Sequence, residues 1–274
     1  MTTYSSNRTQ LGQLIAHKDL LISWTGRIVK ARYQQSVLGG LWAVVQPLAL
    51  ALIFTAVFTF VVRMDTGEIP YIIFSYSALV PWLLFEQSIS SSVQSLVVNM
   101  GLVSKIYFPR EILPMAEVAA RLVDFLIAFV VLIGFMLYYG RPIFTLNWIF
   151  LPVILIVQLS LVLGIGLIGS ALNVFFRDVS HVVILILKVW MYATPIIYPV
   201  SLVEAQLASR GAENLLSLYF INPMAAIIES YRNVLLYDSG LNEYFGLAAI
   251  ISFVVLAFGY WLFKRLEFNF ADIV

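Results

Sequence analysis

Glu117, Arg121 and Asp124 are spaced by four and then three residues, so on a helix their side chains fall on one face. They sit at the start of a long apolar stretch, where a charge facing lipid costs at least about 2.5 kcal/mol. Two chemistries fit that spacing: mutual neutralisation, with the carboxylates flanking the guanidinium, or a proton relay. Lys188 stands alone inside the apolar run from Val182 to Val189. Its ammonium either snorkels to the nearer interface or faces a cavity. Arg27, Lys30 and Arg32 form a basic cluster just ahead of the first long apolar run. His17 and His181 have no second histidine or carboxylate cluster at metal-ligand spacing and read as interfacial residues.

Other chemistries are excluded. There is no G-x-x-x-x-G-K-[ST] phosphate loop, so the chain carries no conventional ATPase of its own. No G-x-S-x-G or H-E-x-x-H string occurs. The absence of cysteine removes disulfides and thiolate sites. A net charge of +1 argues against nucleic acid as a partner.

The elements that position these groups are apolar runs beginning near Leu41, Tyr71, Ala119, Trp148, Val182 and Phe245. A bilayer core about 30 Å thick takes roughly 20 apolar residues per helix. An all-α, polytopic membrane protein is therefore expected, with six spans near 41–62, 71–97, 115–139, 147–173, 181–200 and 245–263. The first run starts too far into the chain for a signal peptide. Residues 1–40 form a separate amphipathic segment and residues 41–274 the membrane domain. In the former, Leu11, Leu14, Ile15, Leu21, Ile22, Ile28 and Val29 share a face, with Arg27 and Lys30 opposite. Such a helix lies along the inner leaflet or packs on a partner.

Lys and Arg mark cytoplasmic connections. Arg8, Lys18, Arg27, Lys30, Arg32, Lys105, Arg110, Arg177, Lys264 and Arg265 fall on one side. Arg63, Arg141, Arg210 and Arg232 fall on the other, with Arg121 and Lys188 inside spans. Both termini are thus expected in the cytoplasm. The stretch between Ser201 and Tyr244 is too long and too apolar for a plain loop, and two short outer-face helices are expected, one before and one after Asn222-Pro223. Pro195 and Pro199 should break the fifth span near its outer end. Gly166 and Ser170 form a small-xxx-small ridge suited to close helix packing.

Two further strings have two readings each. The string from Ser104 to Pro114 predicts a short proline-bounded helix that docks on another protein or merely links two spans. Tyr71, Phe74, Tyr76, Trp82, Phe85, Tyr192 and Tyr198 are either interfacial belt residues or rings lining a path for sugars.

Read together, several strings resemble the permease subunits of type-2 ABC polysaccharide exporters, which carry O-antigen, capsule or teichoic acid. They are Arg32 to Ala43 with Pro47-Leu48, Lys105 to Pro114, Leu122 to Phe125 and Phe176 to Val179, followed by Thr194 to Pro199, Asn222-Pro223-Met224, Tyr231-Arg232 and Phe270-Ala271-Asp272. The resemblance covers nearly the whole chain. It implies a homodimer in a bacterial cytoplasmic membrane, paired with a separate ATPase that holds the ATP and Mg. No cofactor is then expected on this chain. It implies a polyprenyl-pyrophosphate-linked glycan as cargo, with Arg27, Lys30 and Arg32 at its head group or at the ATPase. Lys105, Tyr107, Phe108, Pro109, Arg110 and Glu111 would form the coupling helix, and the helices of 201–237 an outer gate. Phe54 and Phe58 would join the aromatics above along the sugar channel. Rival readings are a drug or small-amphiphile exporter of the same type, and a membrane glycolipid enzyme, which would need a catalytic carboxylate or histidine cluster.

Overall fold

The computed structural model describes residues 17–34, 36–64, 66–67, 69–103, 105, 108–212 and 214–270. The described residues are helical and contain no strand. Helix α1 (Lys18–Tyr33) leads through a 3-10 turn at Gly39–Leu41 into α2 (Trp42–Thr55), which ends in a π-helical segment, Ala56–Val61. There follow α3 (Tyr71–Val98), the single turn α4 (Met100–Val103), α5 (Ile112–Tyr138), α6 (Leu151–Phe175) and α7 (Val179–Tyr192). The short helices α8 (Val200–Ser209), α9 (Leu215–Tyr219) and α10 (Pro223–Leu235) precede α11 (Phe245–Glu267).

Five segments are long and apolar enough to cross a bilayer: Gly39–Val61, Tyr71–Val98, Ile112–Tyr138, Leu146–Phe175 and Phe245–Glu267. The expected fifth span, 181–200, is the exception. Its helix α7 has 14 residues, about 21 Å at 1.5 Å per residue. The chain turns at Ala193–Tyr198 because Pro195 cannot continue a helical ladder. The expected third span also starts earlier. Ile112, not residue 115, opens α5, and Pro114 sits in its first turn, where its missing N–H is no loss. The proline-bounded short helix is therefore not a separate element among the described residues; Ser104, Ile106 and Tyr107 lie outside them.

α3 is the hub. Of its most apolar stretch 83% is buried, and it packs on α2, α5, α6, α7 and α10. Its buried residues alternate bulk with small serines (Ser75, Ser77, Ser88, Ser92, Ser95), and these serines let neighbouring backbones approach. Gly166 of α6 faces the Ser92 side chain and Gly169 faces Val93. Gly164 lies on another face of α6, where a Cβ would stand 2.7 Å from the Val255–Leu256 backbone of α11. The ridge expected at Gly166 and Ser170 is thus part of a two-faced wedge. Gly164→Val has no flexible neighbour to displace, so overpacking of at least about 1–3 kcal/mol is expected. The measurement is the thermal midpoint in detergent, and a midpoint within a degree of wild type would refute the contact.

α1 lies against α5. Leu21, Ile28 and Val29 are half-buried there, whereas Ile22 is 67% exposed. Leu21 and Ile22 point about 100° apart, and the rotation that packs Trp24 against the Leu96–Phe270 cluster leaves Ile22 outward. Leu11, Leu14 and Ile15 lie outside the described residues. At the far end, α10 buries eleven of its thirteen residues against α3, α6 and α11. The expected helix before Asn222 is two helices, α8 and α9, and the one after it is α10.

Candidate functional site

A polar network threads the bundle near its α1 end. Arg32 donates from Nη1 to Asp124 Oδ2 at 2.6 Å and lies 3.6 Å from Glu117 Oε2. The Tyr33 hydroxyl donates to Asp124 Oδ1. Arg121 lies 3.4 Å from the same carboxylate, and also donates to Gln87 Oε1 at 2.8 Å and to Ser91 Oγ at 3.0 Å. Gln87 in turn donates to Gln46 Oε1 at 3.0 Å. Four helices are thereby joined by one hydrogen-bonded chain. The expected three-residue ladder is incomplete as a description, because Arg32 from α1 supplies the second cation and balances the two carboxylates. A one-helix spacing argument does not see a partner 92 residues away.

This placement alters the role expected of Arg32, whose guanidinium is engaged within the chain. Arg27 and Lys30 are exposed, with Arg27 stacked 4.9 Å over Trp24. Burial, and then the bond to Asp124, pushes the Tyr33 hydroxyl up to about 12. Its contribution to docking α1 is complete below pH 10, its ordinary value, and is lost as pH rises through about 12. Tyr33→Phe should remove a phenol ionising near pH 12 from the ultraviolet titration; loss of one ionising near pH 10 instead would show that Tyr33 is not engaged.

Beyond α4, Arg110 Nη1 donates to Glu267 O at 2.7 Å, and Lys264 bridges Glu111 and Glu267 at 2.8 and 2.9 Å. The segment expected to couple to a partner is therefore stapled to the end of α11. Glu111 is 2% exposed and offers a partner no surface. Lys105 is exposed, Phe108, Pro109 and Arg110 are half-buried, and Tyr107 lies outside the described residues.

The nine candidate channel rings separate into groups. Phe54, Phe58, Tyr71 and Phe74 form a contiguous run with centroid spacings of 6.3, 5.7 and 5.9 Å. Trp82 and Phe85 stack towards Trp190. Tyr76 packs on Phe135. Phe74, Tyr76, Trp82 and Phe85 are at most 1% exposed, and they are core residues that present no face to a passenger. Tyr192 is 65% exposed, and Tyr198, half-buried, donates to the Tyr192 carbonyl. Neighbouring rings in sequence are separated here because the surrounding helices bury most of α3.

Sequence reasoning did not single out a second polar assembly. The fully buried Arg232 donates to Pro195 O at 2.5 Å and Ile196 O at 2.7 Å, lies 3.4 Å from Glu229, and stacks 3.7 Å over Phe74. Tyr71 donates to Ile197 O at 2.7 Å, and Asn222 Nδ2 donates to Ala193 O at 3.2 Å. Asn222 Oδ1 accepts from Trp190 Nε1 and from the backbone of Met224. Four carbonyls freed where α7 breaks are thus capped by side chains from α3, from α10 and from its N-terminal cap. This is the condition under which a broken helix survives at membrane depth. An arginine within the apolar stretch 221–236 was the available signal, since such a residue must find buried partners. Gln158 adds a link from α6, donating to Pro81 O at 2.7 Å and accepting from Tyr231 at 3.0 Å.

Among the described residues no group of three or more His, Asp or Glu side chains could hold a metal ion. The arrangement provides ion-paired joints between helices. Lys188 lies on the exposed side of α7, and its ammonium interacts electrostatically with Glu86 of α3.

Known proteins are similar to this chain over most of its length. The O-antigen export system permease protein RfbA of Klebsiella pneumoniae is 33% identical over 258 residues, 93% of this chain and 95% of the relative. RfbA of Myxococcus xanthus is 30% identical over 263 residues, covering 95% and 97%. The polysialic acid transport protein KpsM of Escherichia coli is 25% identical over 249 residues, covering 88% and 91%. The sequence profile of ABC-2 type transporters matches residues 20–236. With its apolar helices long enough to span a bilayer, the chain is a multi-pass membrane permease that belongs to the ABC-2 type transporter family.

Proposed function

We propose that this chain is the membrane subunit of an ATP-driven exporter that moves an O-antigen-like polysaccharide, carried on a polyprenyl-pyrophosphate lipid, out of the cytoplasm. The observation that carries the reading is the similarity, over more than nine-tenths of the chain, to permeases of O-antigen export. ATP and Mg belong to a separate ATPase, which docks near Lys105 and Phe108 at the α1 end. The positive-inside asymmetry sets that end, with both termini, in the cytoplasm. The inner membrane is the site of action. Deleting the gene tests the reading: surface glycan should fall while long lipid-linked chains accumulate inside. Loss of both pools together would point to synthesis instead.

A second copy completes the passage. α2 and α7 leave continuous apolar faces uncovered, with Leu52, Ile53, Val57, Val182, Leu185 and Val189 between 42% and 64% exposed. Lys188 lies on that same side of α7. Lipid there would impose at least about 2.5 kcal/mol on the ammonium, whereas a water-lined path between two copies would not. Of the candidate rings, the half-buried Phe54 and Phe58 and the exposed Tyr192 remain accessible to such a path. A cysteine pair at Leu185 and Ile53 should cross-link copies of the chain; monomer alone after oxidation would count against the dimer.

A further inference from the structure

A cavity of about 160 Å³ lies between the end of α1, the first turns of α2 and the middles of α3 and α5. Engineered cavities of about 150 Å³ take up one six-membered ring. The lining is sharply graded. One end holds Arg32, Tyr33, Gln46, Gln87, Arg121 and Asp124, and the other holds Leu83, Leu84, Val80, Phe125 and Ala128. α3 and α5 run antiparallel, yet both present polar residues towards the α1 end and apolar ones towards the bundle centre. Ser91, Gln87, Leu84 and Val80 follow in that direction on α3; Arg121, Asp124, Phe125 and Ala128 follow on α5. The gradient matches that of a single leaflet.

The charge of this rim decides what it binds. Arg32 and Arg121 are matched by Glu117 and Asp124, and each guanidinium is already engaged by a carboxylate. Such a set has no excess cation for a phosphate. It offers amides, a phenol and charged groups that both donate and accept, which is what sugar hydroxyls require. Beside it, Trp42 lines the cavity and is 51% exposed, a flat apolar surface suited to the C–H face of a sugar ring.

We infer that this cavity is a binding site for one uncharged sugar ring carried on a hydrocarbon anchor, its hydroxyls on Gln46 and Gln87 and its anchor towards Leu83 and Phe125. The choice of a glycan rests on the exporter reading above. The sugar is that of a neutral glycolipid resident in the leaflet, because the proposed cargo joins its sugar to its anchor through a pyrophosphate, for which the rim has no free cation.

The test uses the full chain in phosphatidylcholine nanodiscs doped, at one fixed mole fraction, with chain-brominated monoglucosyl diacylglycerol, phosphatidylcholine or phosphatidylglycerol. Quenching of Trp42 is read as the difference between wild type and Trp42→Phe. The glucosyl lipid should quench with about tenfold higher apparent affinity than phosphatidylcholine, the equivalent of one or two net hydrogen bonds. That advantage should vanish in Gln46→Leu/Gln87→Leu. If that double variant does not fold, Leu83→Trp, which fills the apolar half, should abolish it instead. Equal quenching by all three lipids would overturn the site, and a preference for phosphatidylglycerol would overturn the uncharged ligand. A variant that loses the preference should keep export, as expected of a resident glycolipid; loss of both from a folded variant would overturn that source. Absence of the preference in wild-type protein that still restores surface glycan sinks this inference and leaves the exporter reading intact.

Discussion

Arg232→Gln should lower stability by about 3–5 kcal/mol, the cost of removing one partner from a buried ionic assembly. The substitution strips donors from Pro195 O and Ile196 O and leaves Glu229 without its cation. Glutamine has one shorter NH2 group where the guanidinium presents two separate nitrogens to the two carbonyls. A membrane domain of this size should lose on the order of 10 °C in its thermal midpoint, at roughly 2–4 °C per kcal/mol. Arg232→Lys keeps the charge but not the planar fork, so an intermediate loss is expected. Removing both charges in Arg232→Met/Glu229→Met should be milder than Arg232→Met alone, because no orphan charge remains. If the double variant were the worse of the two, Glu229 would not be the counter-charge.

Asp124→Ala carries the second large effect, towards the lower end of about 3–5 kcal/mol, because its partners keep some contact with the surface. Asp124 receives Arg32, Arg121 and Tyr33 together, and its loss leaves two guanidinium groups beside Glu117 alone. The distinguishing readout is local. α1 should detach from α5, and hydrogen exchange across 18–33 should rise well above that of α3. Glu117→Gln should do less, since its contact with Arg32 is the longer one at 3.6 Å. Uniform exchange in wild type and Asp124→Ala would show that α1 is held by apolar packing through Trp24 instead.

These two assemblies show where a linear reading stops. Membrane class, the approximate positions of five of the six expected spans and the break at Pro195 were legible, because each depends on the composition of a contiguous stretch. So was the face shared by Glu117, Arg121 and Asp124. The identity of the fourth charge was not, because Arg32 reaches that face only after α1 folds back along α5. The aromatics mark the same limit. Tyr76, Trp82 and Phe85 read like channel or belt residues by position, yet α3 turned out to be surrounded, which converts them into core. Likewise Glu111 and Arg110 look available beside Pro109, but Lys264 and Glu267 arrive from the last helix to engage them.

What the sequence determined alone was the solvent in which each segment is stable. Hydrophobicity and helical spacing are local quantities, and the bilayer enforces them one helix at a time. What only the tertiary structure decided was which polar groups are matched. A charge at membrane depth must find a partner, but spacing restricts that partner only within one helix. Across helices the choice follows from packing, here from Gly164, Gly166 and Gly169 drawing α6 against α11 and α3, and from α1 turning Arg32 onto Asp124.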